Sequence, residues 1–228
     1  MWVILPGLAL TPRDYAPLAA HLPGRVVVLE AWSLPTTAGG LHQTLPQARR
    51  DASRDDGEPA ERIDLIGHSI GGLAALEWAL TDRVDSLTLL DPTTLDDAGT
   101  LHLPVGWAAP FGPAVRKLAM WALAGRDELS AAERRARFGT VRGLQALATQ
   151  LRQLPDLQAR VTRLLPGTLP PTRQLVALPR FGSDSFRDAQ RELAHDIGSE
   201  IVELPGWNHL FPIAHPAEVA ALITARQG

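Results

Sequence analysis

The sequence predicts an α/β domain built on a mainly parallel sheet of about six strands, with flanking helices and a helical insertion between two strands. Two observations carry this. Short apolar runs ending in turn residues recur along the 228 residues. Helix-like patterns lie between them, and an alternation of strand and helix favours parallel pairing through crossovers. The strand candidates, in order, are "WVIL" at 2–5, "RVVVLE" at 25–30, "IDLIG" at 63–67, "SLTLLD" at 86–91, "QLVAL" at 174–178 and "EIVEL" at 200–204. Their continuous β-branched and leucine-rich character, rather than strict alternation, suits strands covered on both faces.

The helices follow from their own signals. Thr11, Pro12 and Asp14 mark a helix start, with Leu18, Ala19 and Leu22 at helical spacing after it. A second apolar helix follows Gly71, and a last one follows Pro216, with Val219, Leu222 and Ile223 on one face. Between about 92 and 172 no strand pattern occurs. There Ser130 and Glu133 form a capping box, and Val141, Leu144, Leu147, Leu151 and Leu154 trace an apolar stripe. Pro166, Pro170 and Pro171 punctuate the return to a strand. The charged stretch at 49–62 reads as a solvated helix end and loop.

Composition excludes several classes of function. With 22 basic against 25 acidic side chains and a net charge of −3, no basic face invites nucleic acid or an anionic membrane. There is no cysteine, which removes disulfides, thiolate metal sites and cysteine nucleophiles. No run approaches the roughly 18–20 apolar residues of a membrane helix. The apolar "MWVILPGLAL" lacks the basic residues and cleavage pattern of a leader, so the expected location is the cytoplasm.

Gly67-His68-Ser69-Ile70-Gly71 carries the chemistry. It matches G-x-S-x-G, a pattern expected by chance about 0.1 times in a chain of this length. Its setting, directly after a strand pattern and before a helical one, is that of a nucleophile elbow. Flanking glycines leave room for a sharp turn, and the following helix aims its free N–H groups at the site. A serine nucleophile needs a base, and the base an orienting carboxylate. Of seven histidines, His209 is placed best, in a loop after the last strand candidate. His195 reads as a surface residue, His215 opens the final helix, and His68 is tied to the elbow. Asp91 and Asp184 both follow strand ends, where open α/β sheets place their sites, and both satisfy the order Ser, acid, His. Asp184 is favoured, because Asp91 precedes Pro92 and opens the insertion. The backbone N–H groups of Leu8 and Ile70 are the natural oxyanion donors. In the insertion, Trp107, Phe111, Met120 and Trp121 could wall an apolar acyl pocket or hold the insertion to the core.

The turn "PGLALTPRDYAPLAAHL", the elbow "LIGHSIGGLAALEWA", the strand end "LLDP", the loop "FGSDS" and "LPGWNHLFPIAHPAEVAALI" together resemble the α/β-hydrolase superfamily over nearly the whole chain. Within it the chain is similar to small carboxylesterases typified by the pimeloyl-ester hydrolase of biotin synthesis. The resemblance implies a catalytic triad of Ser69, Asp184 and His209, a core of 1–91 and 173–228, and a lid over 92–172. It implies a serine esterase acting on a small-molecule ester, without metal or cofactor. Pro6-Gly7 stands where the family commonly has His-Gly. Two rival readings keep the fold: C–C bond hydrolysis or elimination, with Arg116 or Arg126 binding a substrate carboxylate, and a ligand-binding receptor.

Overall fold

The computed structural model describes residues 1–30, 62–96, 109–179 and 184–225. Six strands form one sheet: β1 (Trp2–Leu5), β2 (Val26–Val28), β3 (Asp64–His68), β4 (Ser86–Leu90), β5 (Thr172–Leu178) and β6 (Glu200–Pro205). All neighbouring pairs are parallel, in the order β2-β1-β3-β4-β5-β6. The chain first steps from β1 outward to β2, then returns to the other side of β1 with β3 and continues away from it. The loops leaving β1 and β3 thus diverge at the switch point, where open α/β sheets form a crevice.

Helices cover both faces, as continuous apolar strands require. The helix α1 (Ala16–His21) follows β1, and α2 (Ile70–Thr81) follows β3. Three more lie between β4 and β5: α3 (Gly112–Ala124), α4 (Ala131–Phe138) and α5 (Val141–Leu164). Then come α6 (Asp184–Asp196), the single turn α7 (Phe211–Ala214) and α8 (Pro216–Thr224). Successive strand residues point to opposite faces. Val3, Leu5, Leu65, Leu87 and Leu89 therefore join α2 in one core, while Ile4, Ile66 and Leu90 join Leu18, Phe211, Val219 and Ile223 in the other. Each such leucine or isoleucine, fully buried, contributes roughly 1.5–3 kcal/mol.

The first helix starts later than Thr11 predicts. Thr11 N–H and Oγ1 both donate to Asp14 Oδ2, at 2.8 and 2.9 Å, closing a local turn before α1 begins at Ala16. The Ser130–Glu133 capping box forms as expected, with both reciprocal bonds present. In α5, Leu144, Leu147 and Leu154 are buried, but Val141 is 47% exposed. The second half of α5 packs on α2, placing Leu154, Leu157 and Val161 in the main core. Arg160 Nε meets the buried Glu77 carboxylate of α2 at 2.6 Å. A small cluster of Ala109, Leu129, Phe138, Leu144 and Leu147 packs against Leu8 and Ala9, joining the insertion to the loop after β1. Among the described residues no helix is long and apolar enough to cross a membrane. The stretch 49–61 lies outside the described residues.

Candidate active site

Ser69 sits between β3 and α2 with φ 55° and ψ −127°. For a side chain that is not glycine this conformation costs about 1–3 kcal/mol and persists only where the surroundings enforce it. Enforcement is visible in the backbone. Ser69 N–H donates to Leu90 O at 3.1 Å, and Ser69 O accepts from Gly72 N–H at 2.8 Å and Thr93 N–H at 3.1 Å. The flanking glycines are steric necessities. A Cβ on Gly67 would stand 2.5 Å from Gly71 O, and one on Gly71 would stand 2.3 Å from Leu5 O. The turn is therefore sharp enough to lift Ser69 clear of the sheet edge, at the start of α2, whose first N–H groups have no intrahelical acceptor. Ile70 N–H is one of them.

The loop after β6 brings His209 to the same edge, and Ser69, Asp91 and His209 line one cleft of about 460 Å³. His209 Nδ1 lies 2.7 Å from Asp91 Oδ2. The carboxylate is buried and the imidazole half exposed, so the ring is reachable from the cleft while its partner is shielded from water. The other Asp91 oxygen accepts from Ala177 N–H on β5 at 3.1 Å, which fixes the carboxylate plane. Asp91 itself has φ 46°, a left-handed conformation that aspartate tolerates better than most residues.

Asp184, expected as the acid, is not brought to His209. It opens α6, its side chain is 93% exposed, and the ion pair it makes is a 3.9 Å contact to Arg187 one helical turn on. Strand order does not exclude it, since β5 borders β6, the strand that leads to His209. Asp184 has instead been drawn into α6, whereas Asp91, directly after β4, is fixed in place by Ala177 N–H and His209.

Sequence reasoning also passed over His68 and Tyr15, both fully buried. His68 Nε2 lies 2.8 Å from His209 O, and its Nδ1 lies 2.6 Å from Tyr15 Oη. Tyr15 Oη in turn accepts from Gly7 N–H at 3.0 Å. Burial, with His209 beside it, holds the His68 imidazole well below its usual range, so it is neutral. Burial likewise raises the Tyr15 phenol far above its ordinary value. No pattern in the chain marks their role: His68 ends β3 at a position that the G-x-S-x-G motif leaves open, and Tyr15 lies in the turn before α1.

The loop after β1 turns at Gly7–Leu10, closed by Leu10 N–H to Gly7 O at 3.1 Å with Ala9 at φ 62°. A Cβ on Gly7 would stand 3.2 Å from Ser69 Cβ, so this turn lies directly against the elbow and carries Leu8 beside it.

Comparison with known proteins gives the family and the fold. The model of the Alpha/beta hydrolase family matches residues 2–222. The chain belongs to the alpha/beta hydrolase family. No curated protein matches this alpha/beta hydrolase. Among solved structures it is similar to the enol-lactonase from Burkholderia xenovorans LB400, with 18% identity, a TM-score of 0.66, and 97% of this chain and 89% of that one covered. It is similar to bromoperoxidase from Bacillus anthracis, at 16% identity and a TM-score of 0.61, covering 99% and 91%. It is also similar to a lipase-esterase related protein from Clostridium acetobutylicum, at 15% identity and a TM-score of 0.58, covering 97% and 92%. At these identities the likeness concerns the fold, and the three names span different reactions.

A second, apolar cavity of about 520 Å³ opens between the insertion and the loop after β1 of this alpha/beta hydrolase. Leu8, Leu210, Phe111, Met120, Phe138 and Leu147 line it. Trp121, expected as a wall, is 69% exposed and lies outside it, because one residue on from Met120 turns the side chain about 100° round the helix. Trp107 lies outside the described residues. Arg116 borders the cavity, but its Nη2 is 2.7 and 2.8 Å from the two Asp14 oxygens and its guanidinium covers the Phe138 ring at 4.9 Å. Arg126 donates to Ile213 O and pairs with Glu128 at 3.6 Å. Both cations are engaged within the protein.

Proposed function

We propose that this alpha/beta hydrolase is a serine esterase that cleaves a carboxylic ester of a small, largely apolar acyl substrate through an acyl-enzyme. The observation that carries the reading is the 2.7 Å bond from His209 Nδ1 to the buried Asp91, beside a serine held in a strained, outward-facing turn. With Nδ1–H given to Asp91, the imidazole has Nε2 free as base. Ser69 Oγ attacks the ester carbonyl as its proton passes to Nε2; Asp91 holds the ring and stabilises the imidazolium. Leu8 and Ile70 N–H groups bind the tetrahedral oxyanion, and their value lies in being fixed before the charge develops. His209 then protonates the leaving alcohol, and a water activated by the same nitrogen releases the acid. Every step uses this chain's own groups.

The apolar cavity supports the acyl preference. Its volume falls within the roughly 300–1,000 Å³ of small-molecule sites, and its bordering arginine is already paired. Leu8 of the oxyanion turn lines it, while Ser69 and His209 line the other cleft. The alcohol, which must be protonated by His209, would then leave through that cleft.

The test is turnover of p-nitrophenyl esters of graded chain length, with Ser69→Ala alongside. The expected result is turnover by the native protein that falls at least ~10³-fold in the variant. Unchanged turnover in Ser69→Ala, or no ester turned over at any chain length, would refute the reading.

A further inference from the structure

We propose that Tyr15 and His68 form a positioning bridge that couples the oxyanion turn after β1 to the loop that carries His209. The proposal rests on the reading of Ser69 and His209 as nucleophile and base. Its geometry is a continuous chain of three hydrogen bonds: Gly7 N–H to Tyr15 Oη at 3.0 Å, Tyr15 Oη to His68 Nδ1 at 2.6 Å, and His68 Nε2 to His209 O at 2.8 Å.

The sense of each bond can be worked out from its ends. Gly7 N–H can only donate, and His209 O can only accept. His68 Nε2 must therefore carry the proton. A neutral imidazole then leaves Nδ1 as acceptor, and the Tyr15 hydroxyl supplies its proton there while accepting from Gly7. The opposite tautomer would set a bare Nε2 lone pair against a carbonyl oxygen and ask Tyr15 Oη to accept twice with its own proton unplaced. In a site with no exposure, where each unmade bond costs about 1–3 kcal/mol, one arrangement survives. Burial keeps the imidazole neutral, as this arrangement needs.

Each end of the bridge meets a part of the reaction. Gly7 immediately precedes Leu8, and a Cβ on Gly7 would lie 3.1 Å from His68 Nδ1, so the oxyanion turn rests on the bridge itself. His209 is held twice, by its ring to Asp91 and by its carbonyl to His68, and the two imidazoles lie 4.8 Å apart. The side chains packed against His68 are Tyr15, His209 and Phe211, so among these ring contacts His209 is the charge-bearing neighbour. The bridge thus sets the separation between an oxyanion donor and the base. Neither Tyr15 nor His68 touches the reacting atoms.

The experiment compares Tyr15→Phe, His68→Leu, His68→Gln and the double variant Tyr15→Phe/His68→Leu, all in the full chain, on a p-nitrophenyl ester and by the rate of Ser69 labelling with a fluorophosphonate. A misplacement of about 1 Å can cost 10²-fold, so Tyr15→Phe and His68→Leu should each lower kcat and labelling by roughly 10- to 100-fold with KM little changed. Gln presents an N–H toward His209 O and should recover most of the loss seen with Leu. The double variant should be no slower than the slower single one, because the residues act as one chain. Folded Tyr15→Phe protein with kcat within about twofold of native, His68→Gln as slow as His68→Leu, or additive losses would each overturn the proposal. A second measurement needs no variant: nitrogen-15 spectra of the native protein should show His68 as the Nε2–H tautomer, uncharged between about pH 5 and 8, where an ordinary imidazole changes charge. An Nδ1–H signal from His68 would overturn it. If Ser69→Ala leaves turnover intact, the nucleophile reading fails, while the tautomer of His68 still tests the geometry by itself.

Discussion

Exchanging Asp91 for Asn separates the two candidate acids and has a magnitude that follows from the geometry. The change conserves shape, and Asn tolerates the left-handed φ of 46° at this position, so the backbone should hold. The carboxylate currently accepts twice, from His209 Nδ1–H at 2.7 Å and from Ala177 N–H at 3.1 Å. An amide can accept at only one of these. With its oxygen kept toward Ala177, its NH₂ meets His209 and selects the tautomer with the proton on Nε2, which cannot accept from Ser69. Flipped, it restores the working tautomer but sets NH₂ against the buried Ala177 N–H, at about 1–3 kcal/mol, and the negative charge that steadies the imidazolium is gone in both cases. Together these should lower kcat by about 10³–10⁴-fold, or roughly 4–5.5 kcal/mol of transition-state stabilisation. Asp184→Asn, on a side chain 93% exposed, should stay within about twofold of native. The assay is kcat and KM on one p-nitrophenyl ester for both variants, with thermal melts to confirm folding. A greater loss in Asp184→Asn than in Asp91→Asn would refute the reasoning.

Two further outcomes follow from buried charge and buried imidazole. Arg116→Met should lower stability by about 3–5 kcal/mol in urea denaturation, because it strands the fully buried Asp14 carboxylate that Arg116 holds at 2.7 Å and loosens α3 from the loop before α1; a change under about 1 kcal/mol would show that the pair holds nothing. Stability should fall as pH drops below about 6.5, since unfolded His68 takes up a proton that the native imidazole, held well below that value by burial, refuses. The slope from this one group reaches up to ~1.4 kcal/mol per pH unit, and His68→Gln should flatten the acid limb of the stability curve by that amount; parallel curves for the two proteins would remove His68 as its source.

The strands were legible because a buried parallel strand writes its environment into its own residues, as "SLTLLD" and "QLVAL" do. The elbow was legible for a similar reason: Gly67 and Gly71 are required by contacts within a few residues or with the adjacent β1. Asp91 and Asp184 could not be separated in that way, since both follow a strand and both fall between Ser69 and His209. What separates them is where the chain goes after each strand: Asp91 is pinned at once by Ala177 N–H and the His209 ring, while Asp184 has entered α6 and faces solvent, and those contacts join distant segments. His68 goes one step further. Its identity looks like a free choice within the elbow motif, yet its ring is fixed by Tyr15, 53 residues before it, and by His209, 141 residues after it. A residue whose role is to join two parts of a site leaves no mark on its immediate neighbours. Its signature is the coincidence of two partners, each unremarkable alone, at a buried point where an imidazole has one donor and one acceptor to satisfy.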